Sequence, residues 1–422
     1  MLPQNKRNTI LIFLSINAVY FFSYFQRIAV PGTIFNELQT SFLLSASAVA
    51  TLGTLYLYIY GGMQFFAGIL ADRIGAGRVL IAGGTLLSAG SILFPLSHSL
   101  TALYLSRALV GFGASLIFIS IIKELDNLFD NRDFPFFLAA SLVLGYSGGL
   151  FGTLPFERAV HFFGWRNSLF AAGILCSLSV IFMSLLFQKT GQLAKKGKNF
   201  SFRVIQNIVR NRRSFPVIFC GSINFSIYFL IQAAFGKKFL QDCYQLDSKT
   251  AAGFTFVMML TLICCLLSVG YISRAIGRRK PIMVCATSIT LFSILLMTLA
   301  LIHHFTVGWF LLGYILLAVS SSASPLYTTS MKELSPAESA ATAVGFLNGI
   351  CYLSVSLFIN LAGFGLDRFR ASAIHTSQSV IYPPQAYLTV FTGCLFFAAA
   401  SCFTSFFIGE SYGKYIYGTD AV

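Results

Sequence analysis

Gly68 to Arg78 reads G-I-L-A-D-R-I-G-A-G-R, a short charged stretch between two long apolar runs. Gly270 to Lys280, G-Y-I-S-R-A-I-G-R-R-K, repeats it 202 residues later, again between two apolar runs. Matching charged hairpins in a very hydrophobic chain imply a membrane protein built from two related halves.

Composition supports this. Of 422 residues, 56 % are hydrophobic and only 10 % charged, whereas a soluble domain carries about 25 % charge. Backbone polar groups in lipid must be satisfied within the segment, so the apolar runs are expected to be helices of about 20 residues each. The sequence divides into spans at 9–35, 45–69, 79–97, 102–122, 136–156 and 167–187, then 215–235, 250–270, 281–302, 307–328, 339–363 and 384–408. This predicts an all-α membrane protein with twelve transmembrane helices. Two pseudo-symmetric six-helix bundles, 1–187 and 215–422, flank a basic linker at 188–214. In the linker Phe202, Ile205 and Val209 share one helical face, which suits a short helix on the inner leaflet.

The net charge of +15 would suggest nucleic acid in a soluble protein. Here most of the lysines and arginines fall on one side of the predicted spans, including Arg73, Arg78, Arg278, Arg279, Lys280 and the linker. The opposite loops hold few: Arg158, Arg166, Lys237, Lys238, Lys249, Arg368 and Arg370. This is the positive-inside pattern. It places both termini in the cytoplasm and argues against nucleic-acid binding. Of nine cysteines only Cys243 is expected in an outer loop, so no disulfide forms there. No Asn-X-Ser/Thr site lies in an outer loop, which is compatible with a bacterial inner membrane.

These features resemble the major facilitator superfamily over essentially the whole chain. Gly68, Asp72, Arg73, Gly75 and Arg78 match its signature between the second and third helices, with Gly77 where a basic residue is common. In the second copy Gly270, Gly277, Arg278 and Arg279 match, while Arg274 replaces the acid. The resemblance implies that Asp72 faces the N-terminus of the eleventh helix and biases an inward–outward balance; otherwise Asp72 and Arg73 close a tight inner loop. Arg107, Gly111, Gly113 and Ser115 resemble the fourth-helix motif. Gly145, Gly148, Gly149 and Gly152 form a bare helical face for close packing, and Pro155 and Gly164-Trp165-Arg166 extend the likeness. Ser335-Pro336 and Asn348 fit the second half. Tyr20 to Arg27, with Tyr58, Tyr60 and Met63-Gln64, is loosely similar to the branch that carries organic anions such as sugar acids. Gln26 and Ala114 stand where that branch often has carboxylates, which puts proton coupling in doubt.

The fourteen acids and five histidines all fall in predicted loops or at span ends, so no titratable carboxylate is expected at the midplane. Two arginines, Arg27 and Arg107, lie within spans, and each needs an anion, a cavity or a route to the interface. Arg27 is about 27 Å along its helix from Thr9, in the outer half. It either meets substrate or snorkels through Tyr20, Phe22 and Tyr24. Arg107 reads as structural or coupling-related, holding carbonyls or polar groups between helices, with direct ligand contact as the alternative. A cavity with two positive charges attracts an anion, and Arg matches carboxylate or phosphate bidentately. Candidate substrate contacts are Arg27, Tyr24, Tyr58, Gln64, Tyr146, Asn224, Tyr228, Gln232, Asn348 and Tyr352; each uncharged one could equally join helices. There is no Walker loop, no metal-ligand spacing and no nucleophile elbow, so neither an enzyme nor a cofactor is expected.

The sequence therefore reads as a monomeric secondary or facilitative transporter of a small polar solute, an organic anion favoured, working by alternating access. An amino-acid or zwitterion carrier, a drug efflux pump and a non-transporting solute sensor are the alternatives. Exchange, facilitated diffusion and proton carriage stay open.

Overall fold

The computed structural model describes residues 4–129, 134–191, 211–335, 340–376 and 379–410, without the side chains at 4–6, 65, 72, 134–136, 267, 274 and 340–342. Among these residues ten helices are long and apolar enough to cross a membrane. The two other predicted spans carry the helices Ala46–Ile74 and Phe134–Phe151. Spans are numbered below in the order predicted. The inner-leaflet helix proposed for the linker lies almost wholly outside the described residues.

The chain forms two compact units, Met1–Ile34 with Leu55–Phe200, and Phe35–Thr54 with Ser201–Val422. The boundary near residue 200 falls inside the predicted linker. Residues 35–54, which the sequence assigns to the first half, cluster with the second.

In the first unit glycines set how closely helices approach. A Cβ on Gly83 of span 3 would stand 2.8 Å from the Gly113 carbonyl of span 4, and one on Gly90 would stand 2.7 Å from that of Ser106. The expected glycine face of span 5 lies on span 1. Gly145 sits under the Tyr20 ring, Gly148 against the Phe21 backbone, and a Cβ on Gly152 would be 3.1 Å from the Phe25 carbonyl. Small residues allow the close backbone approach that takes the place of hydrophobic driving force in lipid.

Spans 1 and 6 continue through a kink beyond their predicted bounds, because apolarity alone does not mark where a kinked helix ends. Span 1 runs as a helix over Gln4–Ile28, breaks at Ala29–Thr33 and resumes as Phe35–Phe42, past the predicted end at 35. Val30 leaves helical geometry (φ −121°, ψ 118°) before Pro31, which has no N–H and whose ring displaces the preceding turn. Span 6 belongs to a helix covering Leu154–Thr190, broken at Gly164, whose φ of 77° suits glycine. Arg158 and Arg166, expected in an outer loop, are therefore helical. Arg166 donates to the carbonyls of Pro95 and Ser97 at the end of span 3, where a cation meets the negative pole of a helix.

In the second unit span 7 also overruns its prediction. Ser214–Leu230 continues through a π-helical segment, Ile231–Phe235, into Gly236–Tyr244. Lys237, Lys238 and Cys243 were expected in an outer loop; all three are helical, and both lysines are buried. Val217, Cys220, Met283, Tyr327, Met331 and Leu347 form one core of this unit. Between spans 11 and 12 lies a two-stranded hairpin, Ile374–His375 with Val380–Ile381.

Candidate functional site

The break in span 1 decides the chemistry of the first unit. A proline and a distorted turn leave carbonyls without helical donors. Arg107 of span 4 supplies them: Nη1 donates to the Gln26 carbonyl at 3.2 Å and Nη2 to that of Val30 at 3.0 Å. Arg107 is 1 % exposed and bridges span 4 to the broken turn of span 1 through these two carbonyls.

Arg27 lies beside this junction and is 2 % exposed. Its Nε and Nη2 each donate to the Tyr56 hydroxyl at 3.3 Å. Its guanidinium carbon is 4.3 Å from the Tyr24 ring centre, 4.5 Å from that of Tyr60 and 5.5 Å from that of Tyr56. The Arg107 guanidinium is 5.1 Å from the Tyr56 ring as well, so one tyrosine serves both buried cations. The faces of aromatic rings are negative and attract cations, more strongly when water is excluded. Snorkelling is thus not what Arg27 does; it is enclosed.

Tyr24 meets Tyr146 edge-on at 4.7 Å between ring centres. Tyr60 is hydrogen-bonded to both Arg27 and Gln64. The structure therefore joins Arg27, Tyr24, Tyr60, Gln64 and Tyr146 in one polar–aromatic cluster. Tyr58 is not in it. Side chains two apart on a helix point about 200° apart, so Tyr58 faces the other way, into an apolar groove of about 700 Å³ shared with Gly62, Met63, Phe66, Leu105 and Phe112. Tyr56 is the residue that sequence reasoning missed. Its signal was present: Tyr56 and Tyr60 are one turn apart, and Gly111 of the fourth-helix motif faces span 2. A Cβ on Gly111 would stand 2.8 Å from the Tyr56 carbonyl and 2.9 Å from its Cα. That glycine lets the Tyr56 backbone come close enough to reach both arginines.

The second-unit candidates separate into three environments. Asn224 donates through Nδ2 to Ser320 Oγ at 3.3 Å and to the Tyr327 hydroxyl at 3.4 Å, while its Oδ1 is buried and has no hydrogen-bond partner among the described residues. Tyr228 and Gln232 face span 8: the Tyr228 hydroxyl donates to Met259 Sδ at 3.5 Å, and Gln232 Nε2 donates to the Thr255 carbonyl at 3.1 Å. Gln232 Oε1 is also buried without a partner. Tyr352 packs edge-on against Phe225 and Phe229. Asn348 is half-buried one turn before it on span 11.

Both charged hairpins turn on glycines of positive φ, Gly75 at 93° and Gly277 at 66°. The carbonyl of Gly68 accepts from Lys123 Nζ at 3.3 Å, and a Cβ on Gly270 would meet open space. Arg73, Arg78 and Arg278 are exposed. The side chains of Asp72 and Arg274 lie outside those described. In the second hairpin, which carries no acid of its own, carboxylates arrive from elsewhere. Glu333, at the end of span 10, pairs with Arg279 at 2.5 Å. Glu410, beyond span 12, accepts the backbone N–H groups of Arg279 (3.0 Å) and Lys280 (2.9 Å), a carboxylate at the positive end of span 9.

Among the described residues, ten apolar helices of spanning length, paired glycine-turned hairpins and a buried arginine on the fourth span agree with one known sequence pattern, that of the Major Facilitator Superfamily, which matches residues 16–359. The chain belongs to this superfamily. It is an integral multi-pass membrane protein of a transporter family, not an enzyme. The riboflavin transporter RibZ of Clostridioides difficile is 22 % identical over 246 residues, which are 55 % of this chain and 54 % of RibZ. Human monocarboxylate transporter 7 is 28 % identical over 160 residues, 37 % of this chain and 30 % of that protein. The chain thus matches about half of the first relative's length and under a third of the second's. Among solved structures, the peptide transporter POT in complex with sulfate has a TM-score of 0.71 at 14 % identity, covering 96 % of this chain and 95 % of that one. A bacterial homolog of the human lysosomal transporter Spinster, inward-facing and unoccupied, has a TM-score of 0.69 at 13 % identity, covering 95 % of each. At such identities these superpositions speak for the fold alone.

Proposed function

We propose that this superfamily member carries a small organic anion across the membrane by alternating access, with Arg27 as the group that recognises its charge. The observation that carries this reading is a buried guanidinium surrounded by Tyr24, Tyr56 and Tyr60. Tyrosine hydroxyls and ring faces steady a cation without cancelling its charge. A cation held this way keeps its pull on a carboxylate, and the fork of Arg suits two oxygens. The relatives named above include carriers of monocarboxylates and of riboflavin, which are organic solutes of modest size. Gln64 and Tyr146 border the cluster and are suited to orient the solute. The protein works as a monomer with both termini in the cytoplasm of a bacterial cell, and Asp72 biases the inner hairpin.

A zwitterion carrier is the second reading, favoured by the unpartnered acceptors Asn224 Oδ1 and Gln232 Oε1, which suit an ammonium or hydroxyl donor. A thermal-shift series on purified protein separates the two. The ligands are sugar acids, monocarboxylates, dicarboxylates, amino acids and neutral sugars, repeated on Arg27→Ala. Stabilisation by one anion class that disappears in the variant supports the anion carrier. Stabilisation by amino acids or neutral solutes that survives in it refutes the role given to Arg27. Counterflow of the stabilising solute in proteoliposomes then excludes a purely sensing role.

A further inference from the structure

Exposed leucines and phenylalanines are ordinary on a spanning helix, because lipid tails are as apolar as the side chains. Shape and charge are what single out one place. Spans 2 and 4 carry such a place in the groove of about 700 Å³, wholly within the first unit. Tyr58 and Phe66 on span 2 stand opposite Leu105 and Phe112 on span 4, with the small Gly62 and Ala108 between them. A Cβ on Gly62 would meet nothing within 4 Å, so this glycine leaves room instead of closing a helix contact. Leu105 is 63 % exposed and Phe66 49 %, so the groove is open to what surrounds the unit. It is separate from the Arg27 cluster: Tyr56 and Tyr60 turn toward Arg27, and Tyr58 faces away from both.

Both walls lead to a cation at the end that the charge pattern assigns to the inside. On span 2, Arg73 follows Phe66 by seven residues, two turns on the same face and about 10.5 Å along the axis; it is exposed. On span 4, Lys123 follows Phe112 by eleven residues, three turns on the same face and about 16.5 Å. Lys123 is half-buried and leans over span 2, where one of its three donors reaches the Gly68 carbonyl at 3.3 Å. Half-buried Ile69 and Ile119 continue the two faces between groove and cations. Asp126, also exposed, is turned about 60° off the Lys123 face. From Arg73 to Tyr58 the axis runs about 22 Å. That is close to half of the 40–45 Å between the two headgroup surfaces of a bilayer. A cationic foot at headgroup level and an apolar groove reaching the midplane match one lipid molecule in both charge and depth.

We propose that the groove between spans 2 and 4 holds an anionic glycerophospholipid of the inner leaflet, its phosphate between Arg73 and Lys123 and one acyl chain lying over Gly62 up to Tyr58. The guanidinium meets two phosphate oxygens and the ammonium acts as a point charge; basic pockets between spanning helices on the cytoplasmic side select anionic headgroups in this way. The site depends neither on which solute is carried nor on the role of Arg27.

Photolabelling of the full-length protein tests it. The protein is reconstituted in phosphatidylcholine vesicles with a trace of phosphatidylglycerol or of phosphatidylcholine, each bearing a diazirine on its acyl chain, and labelled peptides are quantified. Peptides 58–66 and 105–112 report the groove, and 174–185, whose Ile174, Leu178 and Phe182 are exposed, reports ordinary lipid contact. In the wild type the phosphatidylglycerol-to-phosphatidylcholine labelling ratio is expected to be about tenfold or more higher in the groove than at 174–185. Lys123→Gln and Arg73→Gln are each expected to lower it about fivefold. Gly62→Leu fills the groove with every charge in place and is expected to abolish the excess as well, leaving 174–185 unchanged. Equal ratios at the two places in the wild type overturn the proposal, as does an excess that survives the charge variants and Gly62→Leu. So does a groove that takes no label while Gly62→Cys forms disulfide-linked dimers, which assigns it to a second copy of the chain.

Discussion

Tyr56→Phe isolates what the aromatic cluster does for Arg27. The substitution keeps the ring, so the cation–ring contacts persist, and it deletes only the hydroxyl. That hydroxyl accepts two N–H bonds from Arg27, both at 3.3 Å, and donates to the Ser23 carbonyl at 3.3 Å. Bonds to a charged donor are worth about 1.5–3 kcal/mol each in net terms. These are longer than the usual 2.9–3.0 Å, which puts the pair together near the low end, about 1.5–2 kcal/mol. A methyl-sized void where the hydroxyl stood adds little. Equilibrium unfolding in mixed micelles is expected to show a loss of about 1.5–2 kcal/mol, while Tyr60→Phe, one turn away, costs less because Tyr60 does not take both donors. The same variant is expected to weaken stabilisation by the anion roughly tenfold or more, since Arg27 loses the group that fixes its fork (a factor of ten is about 1.4 kcal/mol). Wild-type stability together with wild-type anion response in Tyr56→Phe would refute the argument that Tyr56 positions Arg27.

Three further outcomes follow from the same contacts. Arg107→Met removes the donors to the Gln26 and Val30 carbonyls and is expected to cost about 2–6 kcal/mol, at about 1–3 kcal/mol for each stranded acceptor; folded yield measured by detergent size exclusion should fall sharply, and a mild effect counts against the break in span 1 needing Arg107. Gly148→Ala places a methyl on the Phe21 carbonyl whereas Gly270→Ala meets open space, so the first should lower thermal stability strongly and the second barely; comparable melting curves would show that the span 1–span 5 approach is not glycine-dependent. Asp247 caps its helix, and hydrogen bonds from the Thr250 hydroxyl and then the Thr250 N–H hold its carboxyl below the ordinary value of 3.8. A depressed folded value means its stabilisation is complete above that ordinary value and is lost as pH falls through the folded one, so acid titration of Asp247→Asn should lack part of the wild type's loss of stability below about pH 4, and superimposable acid profiles would remove the cap from the account.

The membrane architecture was legible in the chain because the bilayer imposes a one-dimensional rule. About 20 apolar residues must run together, and each backbone bond must close inside the segment, so the helices appear where the apolar runs are. The hairpin glycines Gly75 and Gly277 and the glycine face of span 5 were legible for a related reason: a positive φ or a close backbone contact restricts the residue type by itself. Arg107 was readable as a residue needing partners within the bundle because a guanidinium inside a span must be compensated there; that those partners are the Gln26 and Val30 carbonyls came from the structure. What only the tertiary structure decided was which residues meet. Tyr58 was named and Tyr56 overlooked because the helical phase of span 2 against span 4 depends on how Gly111 lets them approach, a relation between residues 55 apart in sequence. Lys238 and Asp242 looked like loop charges because charge normally ends a span; they are buried since each satisfies the other, with Asn36, Val380, Tyr382 and Tyr387 supplied by distant segments. Glu333 and Glu410 reach the acid-free second hairpin in the same way, from beyond spans 10 and 12. Solvent sets the first kind of feature, and it acts on each segment alone. Mutual satisfaction of charges and hydrogen bonds sets the second, and it exists only once the segments have come together.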